Sequence, residues 1–214
     1  MAGTIITIAQ QKGGSGKTTL ATHLSVAWTQ QPGSTVALLD VDPQGSLGEW
    51  FERREDRLGE GETGLQFRTA SGWGARREAH ALARDYDMVV LDTPPRADLE
   101  ARTAIEAADL VVVPVQPTPA DLWGTRDTLV QANKEGKGTA LVLSRVPPRA
   151  RLTDHLVAAL RELDVDLMAA QLGNRIAFAE SIGLGSTALE WEPKGKAADE
   201  TRSLAAELFG KFRA

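Results

Sequence analysis

The sequence contains no cysteine. That excludes disulfide staples, thiol nucleophiles, iron–sulfur clusters and every zinc site built on thiolates. It also lacks any apolar run near the roughly 20 residues a membrane-crossing helix requires; its longest runs are short, such as Leu110–Val113. Aromatic residues make up only 5%, beside 42% hydrophobic and 25% charged residues, an ordinary soluble composition. An excess of positive charge is missing too. Lys and Arg total 24 against 29 Asp and Glu, giving a net charge of −5. The whole molecule is therefore no polycation, and nucleic-acid binding would need a local basic patch that dimerisation would double. The three histidines, His23, His80 and His155, have no ligand spacing and read as surface or helix positions. The opening Met-Ala-Gly-Thr passes straight into Ile5–Ile8 without a basic leader, so no secretory signal is read and the expected compartment is the cytoplasm.

What is present fits one domain over residues 1–214, a length that buries roughly 70% of the unfolded surface without a metal or disulfide. Short aliphatic runs recur at Ile5–Ile8, Val36–Leu39, Met88–Leu91, Leu110–Val115 and Ala140–Leu143. Helical apolar patterns lie between most of them; Leu20, Leu24, Ala27 and Trp28 share one face after the first run. Near-continuous strands alternating with helices predict an α/β, doubly wound, mostly parallel sheet with helices on both faces. Gly33, Gly136 and Gly138 are expected to stop helices. Arg53–Arg84, rich in charge and glycine, is expected to be a loose connection with a short strand near Leu65–Arg68 and one helix.

The most informative segment is Gln10-Gln11-Lys12-Gly13-Gly14-Ser15-Gly16-Lys17-Thr18-Thr19, between the first expected strand and the first helix, where a phosphate-binding loop belongs. Glycines let successive backbone N–H groups turn around phosphate oxygens, and a helix N-terminus adds its positive dipole end. Lys17 is expected to reach the β- and γ-phosphates and the Thr18 hydroxyl to ligate Mg²⁺, with Gly13, Gly14, Ser15, Gly16 and Thr19 forming the rest of the cradle. Two further strands end in carboxylates, at Asp40-Val41-Asp42-Pro43 and at Asp92-Thr93-Pro94-Pro95, where open parallel sheets place their ligands. The spacing of Asp40 and Asp42 puts both on one face if the strand continues. Asp87 reads as a turn residue.

The loop departs from the usual pattern: Gln11 stands where glycine is expected, and a second lysine, Lys12, precedes Gly13. Lys12-Gly-Gly-Ser-Gly-Lys17-Thr resembles the deviant Walker A motif of the ParA/MinD family of ATPases. The resemblance spans essentially the whole chain and is most specific at the loop and the two aspartate strands. Within the family it is closest to the small ParF-like plasmid partition ATPases, whose proline-rich segment at the nucleotide-bound dimer face is similar to Pro114-Val-Gln-Pro117-Thr-Pro119-Ala-Asp121.

The resemblance implies an ATP- and Mg²⁺-dependent sandwich dimer. Lys12 would contact the partner's nucleotide, Asp42 would position the attacking water, and Asp40 and Asp92 would stand near Mg²⁺. Pro94 and Pro95 would begin a switch loop, and Pro117 and Asp121 would lie near the dimer face. Arg175 would lie near the base or the DNA-facing surface, or be a plain surface residue. It further implies non-specific DNA binding by the ATP form and a cargo-bound adaptor or centromere-binding protein that stimulates slow hydrolysis. Arg145, Arg149 and Arg151, with Lys194, Lys196, Arg202, Lys211 and Arg213, are the basic candidates for DNA. Two rival readings share the fold. One is a MinD-like membrane regulator, for which Leu204, Leu208 and Phe212 would form a lipid-facing stripe. The other is an ATP-dependent ligase of the dethiobiotin-synthetase kind, which Lys12 and the Asp40/Asp42 pair oppose.

Overall fold

Aliphatic strands without polar alternation need cover on both faces, and the chain supplies it. The computed structural model describes residues 2–96, 99–148, 151–163 and 165–212. The strands are β1 (Thr4–Ile8), β2 (Val36–Asp40), β3 (Gln66–Thr69), β4 (Met88–Asp92), β5 (Leu110–Val115), β6 (Gly138–Leu143) and β7 (Asp166–Leu167). They form one sheet in the order β3-β2-β4-β1-β5-β6-β7, with parallel pairing throughout. The helices are α1 (Lys17–Thr29), α2 (Ser46–Leu58), α3 (Gly74–Leu82), α4 (Leu99–Ala107), α5 (Pro119–Lys134), α6 (Arg151–Arg161), α7 (Ile176–Gly183), α8 (Ala188–Trp191) and α9 (Lys196–Phe212). The chain winds outward from β1 on one side, returns through β4, then crosses to β5 and winds the other way. This reversal opens a crevice at the carboxyl end of β1, where doubly wound sheets bind ligands.

The period-two alternation of strand side chains divides the core. Ile6, Ile8, Leu38, Val90 and Val112 point toward α1, α2, α7, α8 and α9. Ile5, Leu39, Val89 and Leu91 point toward α3 and α4, and Val111, Val113 and Leu141 toward α4, α5 and α6. α1 lies at the centre of the first layer. Leu20, Leu24, Ala27 and Trp28 are buried as the spacing predicts, but so are Ala21, Thr22, His23, Ser25 and Val26, because α7, α8 and α9 close over the helix. Leu204 and Leu208 of α9 are fully buried in this core, and the Trp28 indole N–H donates to the Ala205 carbonyl at 3.1 Å. These two members of the proposed lipid-facing stripe are thus core residues. Among the described residues no helix is long and apolar enough to cross a membrane.

His23 is a helix residue, on α1, and is buried in the core. Its Nε2 accepts the Ala188 N–H at 2.9 Å, which leaves the proton on Nδ1 to bond the Thr19 carbonyl at 2.7 Å. Burial drives its pKa down to about 4. Two other expectations change, and one strand was not expected. Arg53–Leu58 belongs to α2, whose buried stripe Leu47, Trp50, Phe51 and Arg54 follows helical spacing beneath the surrounding charge. Gly138 begins β6 instead of stopping a helix, while Gly33 and Gly136 do sit in turns. β7, two residues long, is too short for a pattern to reveal.

Candidate nucleotide site

The loop from Ala9 to Gly16 leaves β1 and enters α1 at the crevice. Gly14 and Gly16 have φ of 73° and 93°, and no atom lies within 4 Å of where a Cβ would stand on either. Glycine is required there by backbone conformation, not by crowding. Two side chains fix the loop from across the sheet: Gln116 Nε2 donates to the Gly14 carbonyl at 2.7 Å, and Ser144 Oγ to the Ser15 carbonyl at 3.2 Å.

The start of α1 is left unfinished. Gly16 at the N-cap provides no side-chain cap, and the first turn contains no acidic residue. The unpartnered amides and the positive end of the helix dipole therefore await an anion from outside. Lys17 is buried at that mouth. Burial lowers its pKa, and the negative charges of Asp92 and Asp42 oppose that shift. Register places Asp92 beside both Ile8 and Asp40. The Thr18 hydroxyl donates to Asp92 Oδ2 at 2.5 Å, whereas Oδ1 is buried without a hydrogen-bond partner. Burial pushes the Asp92 carboxyl up to about 7; Asp40 and Asp42 add to the shift, against Thr18 and Lys17. A hydroxyl and hard carboxylate oxygens, one of them orphaned, form a donor set that suits Mg²⁺. Among the described residues no three His, Cys, Asp or Glu side chains form a metal cage.

Asp40 and Asp42 do not continue the strand as a pair. Asp40 accepts the Asp42 N–H at 3.0 Å and the Gly48 N–H at 3.1 Å, so it pins the following loop, and burial raises its pKa. Asp42 turns with that loop and accepts the Gln44 N–H at 2.9 Å. Thr93, next to Asp92, ties β4 to β1 through the Ile8 carbonyl at 2.8 Å. Asp87 accepts the Thr35 N–H and hydroxyl at 2.8 and 2.7 Å and steadies the entry to β2.

Beside the loop lies a cavity of about 410 Å³, lined by Gly16, Thr19, Gln116, Arg145, Asn174 and Arg175 among others. This is within the usual range for small-molecule sites. Arg175 holds Glu200 in a two-point ion pair, Nε to Oε2 at 2.9 Å and Nη2 to Oε1 at 2.5 Å, so it forms part of the cavity wall. Arg145, at the rim, has a φ of 50°, a conformation uncommon for a side-chain-bearing residue. Pro117 lies in the turn before α5. Asp121, on the first turn of α5, is completely buried and pairs with Lys12 of its own chain; it does not line the cavity.

Among the basic candidates, Arg202 pairs with Asp199 at 3.0 Å and Lys211 with Asp166 at 2.6 Å. Lys194 and Lys196 are exposed. Arg149, the Arg151 side chain and Arg213 lie outside the described residues. Sequence reasoning passed over Gln10, Thr125 and Thr128. Gln10 Nε2 donates to Thr125 Oγ1 at 3.1 Å, and the Gln11 N–H to Thr128 Oγ1 at 3.2 Å. The signal for them was a polar stripe at positions 121, 125 and 128 of one helix face.

An uncapped helix mouth with a lysine buried inside it is built for a polyphosphate, and the surrounding sheet is that of a P-loop nucleotide-binding domain. Comparison narrows this class. The model of the CobQ/CobB/MinD/ParA nucleotide binding domain matches residues 6–188, and the chain belongs to that family. The maintenance of carboxysome distribution protein A of Gloeobacter kilaueensis is 33% identical over 216 residues, covering 98% of this chain and 95% of the relative. The chromosome-partitioning ATPase Soj of Thermus thermophilus is 30% identical over 243 residues, covering 97% and 96%. The ATP complex of a Cyanothece McdA variant superposes with a TM-score of 0.78 at 16% identity, over 98% of this chain and 97% of that one. The expectations of the ParA/MinD family and of a doubly wound, mostly parallel sheet are met, and the pairing is parallel throughout. The relatives named here concern carboxysomes and chromosomes, not plasmids.

Proposed function

We propose that this chain is an ATP-hydrolysing positioning switch, which dimerises around ATP and moves a large cargo over DNA. The observation that carries this reading is the Thr18–Asp92 contact, with its orphaned carboxylate oxygen beside buried Lys17 at an uncapped helix start. Gly13, Gly14, Ser15, Gly16 and Thr19 wrap the phosphates, and Lys17 neutralises the β- and γ-oxygens. Thr18, Asp92 and Asp40 would hold Mg²⁺, which would supply positive charge against that of the phosphates. Asp42, on a loop pinned by Asp40, orients the water that attacks the γ-phosphorus as ADP leaves. Orientation and charge are most of what a protein contributes to phosphoryl transfer. The 410 Å³ cavity takes the nucleoside, with Arg175 as its wall and Pro117 near the dimer face. Lys12, one-third exposed at the outer lip of the loop, extends to the partner's nucleotide.

Exposed Lys194, Lys196 and Arg145 provide weak, salt-sensitive DNA contacts in the dimer. An adaptor on the cargo triggers hydrolysis, so that γ-phosphate contacts exist in one state only. The relatives' names support a large cargo, a carboxysome in one and a chromosome in the other. Burial of Leu204 and Leu208 disfavours the membrane alternative.

The test combines nucleotide binding, light scattering and turnover. Lys17→Ala is expected to weaken ATP binding by roughly 100-fold, the scale of losing one partner of a buried charge contact. Asp42→Ala is expected to retain the ATP-bound dimer while turnover falls roughly 100-fold or more. Normal turnover in Asp42→Ala, or ATP binding that survives Lys17→Ala, overturns the assignment.

A further inference from the structure

Lys12 does not wait free in solution for a partner. Its ammonium is paired with Asp121 of the same chain, on the first turn of α5. The Thr118 hydroxyl donates to the same carboxylate oxygen, and the other oxygen, Oδ1, is buried with no partner. Asp121 is wholly inaccessible, whereas the Lys12 side chain is 34% exposed. The carboxylate is thus a fixed, under-satisfied anion and the lysine is the mobile member of the pair.

The backbone beneath the lysine is bolted down. The Lys12 N–H bonds Gln10 Oε1 at 3.4 Å, and Gln10 in turn donates to Thr125 and to the Pro114 carbonyl. α5 comes so close that a Cβ on Gly124 would lie 3.2 Å from Gln10 Oε1 and 3.5 Å from Lys12 Cβ. Only the lysine side chain is left to swing.

We propose that Asp121 is a positioning residue that holds Lys12 inside its own subunit, and so sets which nucleotide releases the lysine for dimerisation. This rests on the reading of Lys12 as the contact to the partner's nucleotide. Removing the cation from a buried carboxylate is costly, so Lys12 leaves only for a denser negative charge. A triphosphate across the interface offers more of it than a diphosphate. The pair therefore raises the threshold for closure and widens the gap between ATP and ADP states. Without it, a lysine already extended would accept either nucleotide more readily.

The test is sedimentation of the full chain with Mg²⁺ and either a non-hydrolysable ATP analogue or ADP. Asp121→Asn retains the shape and the acceptor for Thr118 and removes the charge. It is expected to lower the analogue concentration for half-maximal dimerisation by about tenfold, the effect of a modest bias on a two-state equilibrium. Dimer is also expected to appear with ADP, where the parent chain stays monomeric. A carboxylate that merely capped α5 would instead lower the melting temperature and leave this selectivity unchanged. Gly124→Ala, whose added Cβ would stand 3.2 Å from Gln10 Oε1 and so disturb the side chain that seats the Lys12 backbone, is expected to shift the threshold in the same direction and serves if Asp121→Asn fails to fold. A threshold that is unchanged or raised in the folded variant overturns the gate. Lys12→Gln separates the two layers of argument: if it dimerises normally, the cross-subunit reading falls. If it fails to dimerise while Asp121→Asn behaves as the parent, only the gate falls.

Discussion

The two faces of the sheet are built from different materials. The layer formed by α1, α2, α7, α8 and α9 packs Trp28, Trp50, Phe51 and Phe178 with long aliphatic residues. The layer formed by α3, α4 and α5 meets the sheet largely through alanines: Ala75, Ala79, Ala104, Ala107 and Ala132. Large interlocking side chains resist sliding, whereas small ones let helices approach closely with little to interdigitate. The phosphate-loop helix belongs to the first layer. Asp121 and the loop after Asp92 belong to the second. The molecule thus sets its phosphate-loop helix in an aromatic layer and the Lys12 counter-ion in an alanine one.

That contrast is most sharply broken by truncating an aromatic. Trp28→Ala removes a fully buried indole and its bond to Ala205, and is expected to cost about 3–5 kcal/mol in urea unfolding. This is a large share of a typical domain's total stability.

The next effect is acid sensitivity confined to the aromatic layer. His23 titrates near 6.5 when unfolded and near 4 when folded. Its folded pKa is depressed, so its contribution is complete above pH 6.5 and is lost as pH falls toward 4. At about 1.4 kcal/mol per unit, the loss reaches about 3 kcal/mol. Unfolding curves of the parent and His23→Gln should differ in slope across this window; parallel curves would show that the buried imidazole does not govern it.

The smallest expected effect is on the other face. Ala104→Val adds two methyl groups at a fully buried α4 position, and should cost about 1–2 kcal/mol by overpacking. A loss equal to that of Trp28→Ala would erase the distinction between the layers.

The central strands and the phosphate loop were legible in the sequence because their signals are local. Ile5–Ile8 and Val36–Leu39 need cover on two sides wherever they lie, and Gly16 must adopt its φ whatever surrounds it. Asp121 was named through the resemblance, but its partner was not legible: only the approach of α5 to Gln10 and Lys12, more than a hundred residues away in sequence, turns it into a counter-ion. His23 was missed for the same reason, since the Ala188 amide that receives it is 165 residues distant. Arg54 was hidden among the charges of α2, although it is buried, stacks over Trp50 and pairs with Glu190. Local patterns reveal elements; partners brought together by topology remain invisible until the chain is folded.

α1 has almost no solvent face along its length. A rod clamped on every side resists tilting or turning, so in the proposed switch the phosphate loop would act as a stator. The stroke of that switch would come from the segments that bear on it: the Asp40–Gly48 turn, the stretch after Thr93 and the first turn of α5. Labels or probes meant to report the stroke belong on those segments, and one placed along α1 would record only the frame.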